Sequence, residues 1–256
     1  IRHSLDSIKN ESFSTNVALH ASKLLSKMPT TIVYCARSAL TQHVQFGFDQ
    51  GRNIVIPNGV IVPDIAPDRS FNKEHVTVGF AGRFHTAKGF PYLFQTISII
   101  QEKTSNVRFK LAGNNVSLSN PEIIELIDQY HINPNNIEFC GQVSDMPHFY
   151  RSIDLLLLTS ITEGFPNVLV EAMAAGVPCA STNVGDAGLI IDQAGFVVPA
   201  KDSVAISSAI LNYVKLTENE KADMSHKAYQ LTKSRFQLDV IARMYMETWG
   251  GIVSVE

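Results

Sequence analysis

Two rhythms of apolar and polar positions take turns along this chain from residue 76 to residue 216. Residues 76–81, 107–112 and 137–140 are short apolar or β-branched runs that stop at Gly82, Gly113 and Gly141, and they predict strands. Residues 154–160 predict a fourth, apolar at every position from Leu155 to Leu158, as a strand covered on both faces requires. Between the strands the spacing becomes helical. Residues 90–101 place Leu93, Phe94, Ile97 and Ile100 on one face, and 121–130 opens on Pro121 with Ile123, Ile124 and Ile127 together. A short helix at 146–151, a helix from Asn167, and further strands at 178–181 and 195–198 continue the series. Strands alternating with helices imply a parallel sheet with right-handed crossovers and helices on both faces, a complete Rossmann-like α/β domain.

The flanks read differently. Helices at 14–27 and 38–46 and strands at 31–35 and 53–57 precede Asn58-Gly59. Two strands and two helices are too few to bury a core, so this portion is expected to be the tail of a larger domain. Pro57, Pro63 and Pro67 mark a linker. The helix at 203–216 carries Val204, Ile206, Ala209, Ile210 and Val214, and a separate one at 238–249 carries Ile241, Met244, Tyr245 and Trp249. The last helix needs a partner and is expected to pack back on the first portion. The predicted division is 1–68, 69–235 and 236–256. The chain starts at Ile1, inside what reads as continuing structure, which suggests a piece of a longer protein.

Composition narrows the function classes. A hydrophobic content of 45% with 18% charged residues is that of a globular protein with a substantial core. A net charge of −3 leaves no basic stripe for nucleic acid. Cys35, Cys140 and Cys179 are odd in number and far apart, and two of them fall in predicted buried strands, which suits core thiols in a reducing compartment. No apolar run approaches the length of a membrane span, and no signal peptide opens the chain, so a cytoplasmic location is expected.

The most informative segment runs from Glu163-Gly164-Phe165-Pro166-Asn167 to Glu171-Ala172-Met173. It sets two carboxylates eight residues apart, one in a Gly/Pro loop after the 154–160 strand and one about a turn inside the next helix. Ligands of doubly wound sheets bind at such carboxyl-end loops. Backbone N–H groups at a helix start suit a phosphate, and a carboxylate one turn in can accept from ribose hydroxyls. The small run Ala172 to Ala175 lets that helix sit close to the sheet.

A second loop, Gly82-Arg83-Phe84-His85-Thr86-Ala87-Lys88-Gly89, lies at the same sheet edge. Arg83 and Lys88 there could neutralise a diphosphate without a metal. His85 keeps two readings: a bond to a sugar hydroxyl or phosphate, or a partner for the loop's own backbone. Asn183-Val184-Gly185-Asp186 reads as a turn. The eight histidines show no metal-ligand spacing, and the dehydrogenase Gly-x-Gly-x-x-Gly pattern is missing.

Together with Leu111-Ala112-Gly113, Phe139-Cys140-Gly141-Gln142-Val143, Gly195-Phe196-Val197-Val198 and the junction-like Ile56-Pro57-Asn58-Gly59-Val60, these motifs resemble the retaining GT-B glycosyltransferases of family 4 in order and spacing. The resemblance implies two facing Rossmann-like domains, the front of the first being absent from this chain. It implies metal-independent transfer, with retention, from a UDP- or GDP-linked sugar to a glycan or lipid-linked acceptor, as in surface polysaccharide synthesis. It implies no cofactor, and peripheral contact with the inner face of a membrane through the absent part. By the same resemblance Arg83, Lys88 and Glu163 carry the transfer. Gly82, His85, Gly141, Val143, Gly164, Phe165, Pro166, Asn167, Leu169 and Glu171 bind the donor, Glu171 at the ribose and the 141–143 segment near the base. Two positions depart from the family pattern: Ala87 and Leu189 stand where it often has acids. The alternatives are an inactive nucleotide-sugar-binding module and another GT-B enzyme such as a sugar-nucleotide epimerase.

Overall fold

The computed structural model describes residues 1, 5, 13–71 and 74–253, with side chains to 250. Parts of the expected first and last segments, residues 2–4, 6–12 and 254–256, lie outside the described residues. Element order is α1 (Phe13–Leu25), β1 (Ile32–Tyr34), α2 (Arg37–Phe46), β2 (Asn53–Val55), β3 (Val76–Ala81), α3 (Phe90–Lys103), β4 (Val107–Ala112), α4 (Pro121–Gln129), β5 (Ile137–Gly141), α5 (Met146–Arg151), β6 (Leu155–Leu158), α6 (Asn167–Ala174), β7 (Cys179–Thr182), α7 (Ala187–Ile191), β8 (Gly195–Val198), α8 (Ser203–Lys215), α9 (Glu218–Arg235) and α10 (Leu238–Val253).

Strands β3 to β8 form one parallel sheet in the order β5-β4-β3-β6-β7-β8, and β1 pairs with β2 in a separate parallel ribbon. The large sheet starts at β3, grows outward through β4 and β5, then resumes on the other side of β3 with β6 (Val78 beside Leu155). That reversal opens a crevice at the carboxyl ends of β3 and β6, the place where open α/β sheets receive ligands.

Each face of the sheet buries an apolar layer. On one, Phe94 and Ile97 of α3, Ile123 of α4 and Ile210 of α8 cover Phe80, Phe109 and Leu155. On the other, Leu169, Val170 and Met173 of α6 pack with Tyr150 and Leu156, and the same cluster runs on into Ile32, Tyr34 and Ala39 of β1 and α2. The first portion thus borrows its core from the large sheet. Its α1 has no buried residue, and Phe13 and Leu24 are exposed.

A long-range cap fixes the first portion to the second. Ala36, the N-cap of α2, offers no side-chain acceptor, so the helix start needs one from elsewhere. Asp186, 149 residues on, supplies it: its carboxylate accepts from Arg37 N–H at 2.7 Å and Ser38 N–H at 2.8 Å. The segment read as a simple turn is therefore also a tie. Just past the linker, the Arg69 guanidinium donates to Ile153 O; burial lowers its pKa, and nearby Asp154 opposes the shift.

Helix α9 fills residues that the apolar pattern left unassigned. It opens on a capping box between Thr217 and Glu220, but its inward positions include Lys221, Ser225, Ala228 and Thr232, which carry no hydrophobic period. Small side chains let it lie against α6, where Ser225 Oγ donates to Gly176 O at 2.6 Å. Helix α10 returns toward the first portion: Met244 faces a cleft also lined by Val55 and Pro57. Among the described residues, no helix is long and apolar enough to cross a membrane.

Candidate functional site

The loop after β3 and the loop after β6 meet at the crevice and are stapled together by two hydrogen bonds onto the backbone of the first. Ile161 N–H donates to Ala87 O at 2.8 Å, and Thr159 Oγ1 donates to Lys88 O at 2.9 Å. Gly89 makes the approach possible: its φ is +67°, and a Cβ there would stand 2.2 Å from Thr159 O. The pairing sets Lys88 beside Glu163. Their side chains form an ion pair with Nζ–Oε1 2.6 Å, and Ser160 Oγ donates to the same carboxylate oxygen at 2.7 Å. The Lys88 stem runs along Gly82, near where a Cβ would sit.

Beside this pair lies a cleft of about 250 Å³, lined in part by Gly82, Arg83, Gly113, Val143, Tyr150 and Glu171. Arg83 is exposed. Tyr150, 2% exposed, donates its hydroxyl to Glu171 Oε2 at 2.7 Å. Burial and the neighbouring Glu171 raise the phenol's pKa well above its ordinary value, so it remains a proton donor. Helix α6 starts at Asn167 after Pro166, an N-cap with no side-chain acceptor, so the N–H groups of Asn167 and Val168 are left for another acceptor.

Of the residues expected at the site, Gly82, Arg83, Val143 and Glu171 share this cleft. Gly141 closes β5, with its carbonyl taken by Gly113 N–H at 2.7 Å. Gly164 O accepts from Asp186 N–H at 3.0 Å, which holds the backbone of the loop after β6 in place. Asn167 is exposed, and its Oδ1 accepts from Asn58 Nδ2 at 2.8 Å. His85 caps the turn Thr86–Lys88, its ring accepting from Ala87 N–H at 3.2 Å, which is the backbone reading of that residue. Phe165 and Pro166 are buried, Phe165 edge-on to Phe236 at 5.7 Å.

Leu169 lies beneath the loop. Its side chain is fully buried in the core, and its N–H donates to Pro166 O at 3.1 Å, so its side chain supports the loop from within the core. Its place on the inward face of α6 follows from Val170 and Met173 being buried with it. Sequence reading also missed Tyr150, whose partner Glu171 comes from another element, and Ser160, whose bond to Glu163 spans only three residues of the same loop. A larger cleft of about 470 Å³ lies on the far side of the Phe165 loop, between Arg37, Val55, Leu189 and Met244. Among the described residues, no group of three or more His, Cys, Asp or Glu side chains is gathered for a metal ion.

The chain has relatives among known proteins. The chain is 29% identical over 171 residues to the capsular polysaccharide biosynthesis glycosyltransferase CapM of Staphylococcus aureus, covering 66% of this chain and 44% of CapM. It is 29% identical over 125 residues to the N-acetyl-alpha-D-glucosaminyl L-malate synthase of Bacillus anthracis, covering 48% and 32% of the two chains. The chain thus spans less than half the length of these relatives.

Among solved structures, Anabaena HepE in complex with UDP superposes with a TM-score of 0.83 at 21% identity, covering 98% of this chain and 71% of HepE. The sucrose-phosphate synthase of Thermosynechococcus elongatus does so at 0.81 and 18%, covering 99% and 67%. At these identities the likeness shows the fold, which is that of GT-B glycosyltransferase structures. The family model for glycosyl transferases group 1 matches residues 75–215, more than half of the chain. The chain belongs to the glycosyl transferases group 1 family.

Proposed function

We propose that this chain carries the donor site of a retaining glycosyltransferase that moves a sugar from a nucleoside diphosphate to a glycan or lipid-linked acceptor in surface polysaccharide synthesis. The observation that carries the reading is the convergence at one sheet edge of Arg83, the Lys88–Glu163 pair, the uncapped start of α6 and Glu171. In this reading Arg83, Lys88 and the α6 N–H groups hold the diphosphate. Negative charge that grows on it as the sugar departs is stabilised by donors already in place, with no metal required. Glu171 takes the ribose hydroxyls, Gly141 to Val143 flank the base, and Glu163 meets the sugar. UDP is the favoured carrier, because solved relatives of the same fold hold UDP and UDP-glucose. Residues 69–235 would then be the donor domain, and 1–68 part of the acceptor side.

Calorimetric titration of the purified chain with UDP, GDP and ADP, with and without magnesium, tests the reading. Binding of one nucleotide to the same extent under both conditions supports it and names the base. Binding only with magnesium would overturn the metal-independent clamp, and no binding by any of the three would overturn the donor-site assignment.

A further inference from the structure

Glu171 stands on α6 with one carboxylate oxygen, Oε2, taken by the Tyr150 hydroxyl at 2.7 Å. Tyr150 comes from the last turns of α5, another element, and both residues line the cleft of about 250 Å³. The Tyr150 ring is almost fully covered, 2% exposed, and stacks edge-on against Phe149 at 5.8 Å, so the hydroxyl cannot wander. Among the described residues no hydrogen bond reaches the other oxygen, Oε1.

A glutamate side chain has three rotatable bonds and, on a helix surface facing a cleft, would sample several positions. One fixed phenol donor selects a single position and leaves the remaining lone pairs pointing outward. An ionised carboxylate is an acceptor only, so what it can hold in that orientation is a donor pair such as a vicinal diol.

We infer that Tyr150 is a positioning residue that fixes the Glu171 carboxylate for the two hydroxyls of a ribose. The inference rests on the donor-site reading above and deepens it. Tyr150 touches no substrate; it acts through Glu171. Ribose recognition is therefore set by a pair of residues from α5 and α6, and the hydroxyl of Tyr150 separates a ribonucleotide from one that lacks the diol.

The test is a double-mutant cycle read with two ligands, UDP and 2′,3′-dideoxy-UDP (or the guanosine pair if GDP is the nucleotide bound). Tyr150→Phe keeps the buried ring and removes one oxygen, so the fold is retained, and a thermal melt within about 3 °C of the parent checks this. The expected result is about five- to tenfold weaker binding of UDP and less than twofold change for the dideoxy ligand. In a Glu171→Gln background the same change is expected to cost less than twofold, since the oriented carboxylate is already gone. Equal weakening of both ligands, or a full loss that persists beside Glu171→Gln, would overturn the positioning role and leave the donor reading intact. Failure of the parent chain to bind either nucleotide would overturn the donor reading and this inference with it.

Discussion

Lys88 and Glu163 neutralise each other in this structure, and their separate replacement should move nucleotide affinity in opposite directions. The pair is close, Nζ–Oε1 2.6 Å, with the two side chains 21% and 16% exposed. A hydrogen bond between charged groups contributes about 1.5–3 kcal/mol net, and partial exposure puts this one toward the lower end. An incoming diphosphate must either take the ammonium from Glu163 or settle beside the carboxylate. At about 4 Å, like charges repel by about 1 kcal/mol in bulk water and about 4 kcal/mol at the effective dielectric of a protein surface. Glu163→Gln removes that opposition while keeping the side-chain shape and the acceptor for Ser160.

Taking the low end of both estimates, UDP should bind about three- to tenfold more tightly to Glu163→Gln than to the parent. Lys88→Met loses the cation and should bind at least tenfold more weakly, about 1.4 kcal/mol. With the intact sugar donor the gain in Glu163→Gln should vanish, because the carboxylate proposed to meet the sugar is missing. Titration calorimetry at about 0.15 M salt reads all three. If Glu163→Gln weakened UDP as much as Lys88→Met does, Glu163 would be holding Lys88 in place and not competing for it, and the reasoning would be refuted.

Two further outcomes follow from the same structure. Asp186→Ala strips the two N–H bonds from the start of α2 and should cost about 2–3 kcal/mol, lowering the melting temperature by about 5–10 °C; Asp186→Asn, which keeps one acceptor, should recover roughly half, and an unchanged melt would contradict the tie. Burial raises the pKa of the Cys179 thiol and of the Tyr150 and Tyr213 phenols, so the unfolded chain releases their protons first. Stability should be whole below the ordinary thiol value of 9.0 and fall as pH rises past it, by up to about 1.4 kcal/mol per pH unit for each group engaged. Urea midpoints from pH 8 to 10.5 check this, with Cys179→Ala expected to flatten the first part of the decline.

What the sequence made legible was whatever repeats locally. The run Leu155 to Leu158 and the glycine stops at Gly82, Gly113 and Gly141 predict the sheet, and the sheet alone dictates which loops share an edge. Glu171 was legible for the same reason: its distance from the start of a helix is a local quantity. The partners that orient it were not. Tyr150 looks like any aromatic residue on a short amphipathic helix until β6 and α6 carry Glu171 beside it. Asp186 looks like a turn former, because its bonds reach α2 through folding and not through spacing, whereas the Ser160 bond to Glu163 is local and was simply overlooked beside a strand end. Leu169 sits inside the same motif, and helical geometry turns its side chain inward. Helix α9 was invisible because a helix that packs closely on another can do so with Ser, Ala and Thr, which leave no apolar stripe.

The two passages of the chain between the ribbon side and the large sheet lie against each other. Val60 N–H donates to Phe236 O at 2.8 Å, Leu238 N–H to Val60 O at 3.0 Å, and Val62 N–H to the Gln237 side chain at 2.9 Å. A body joined to another by two neighbouring tethers has one easy rotation and resists the other two, as a door does on its pins. Any swing that parts Arg37 from Asp186 must turn about that line, and both loops that hold Lys88 and Glu163 ride on the same leaf. A turn of the first portion about that line would leave the Lys88–Glu163 pair undisturbed, because both residues lie on the large-sheet side of it.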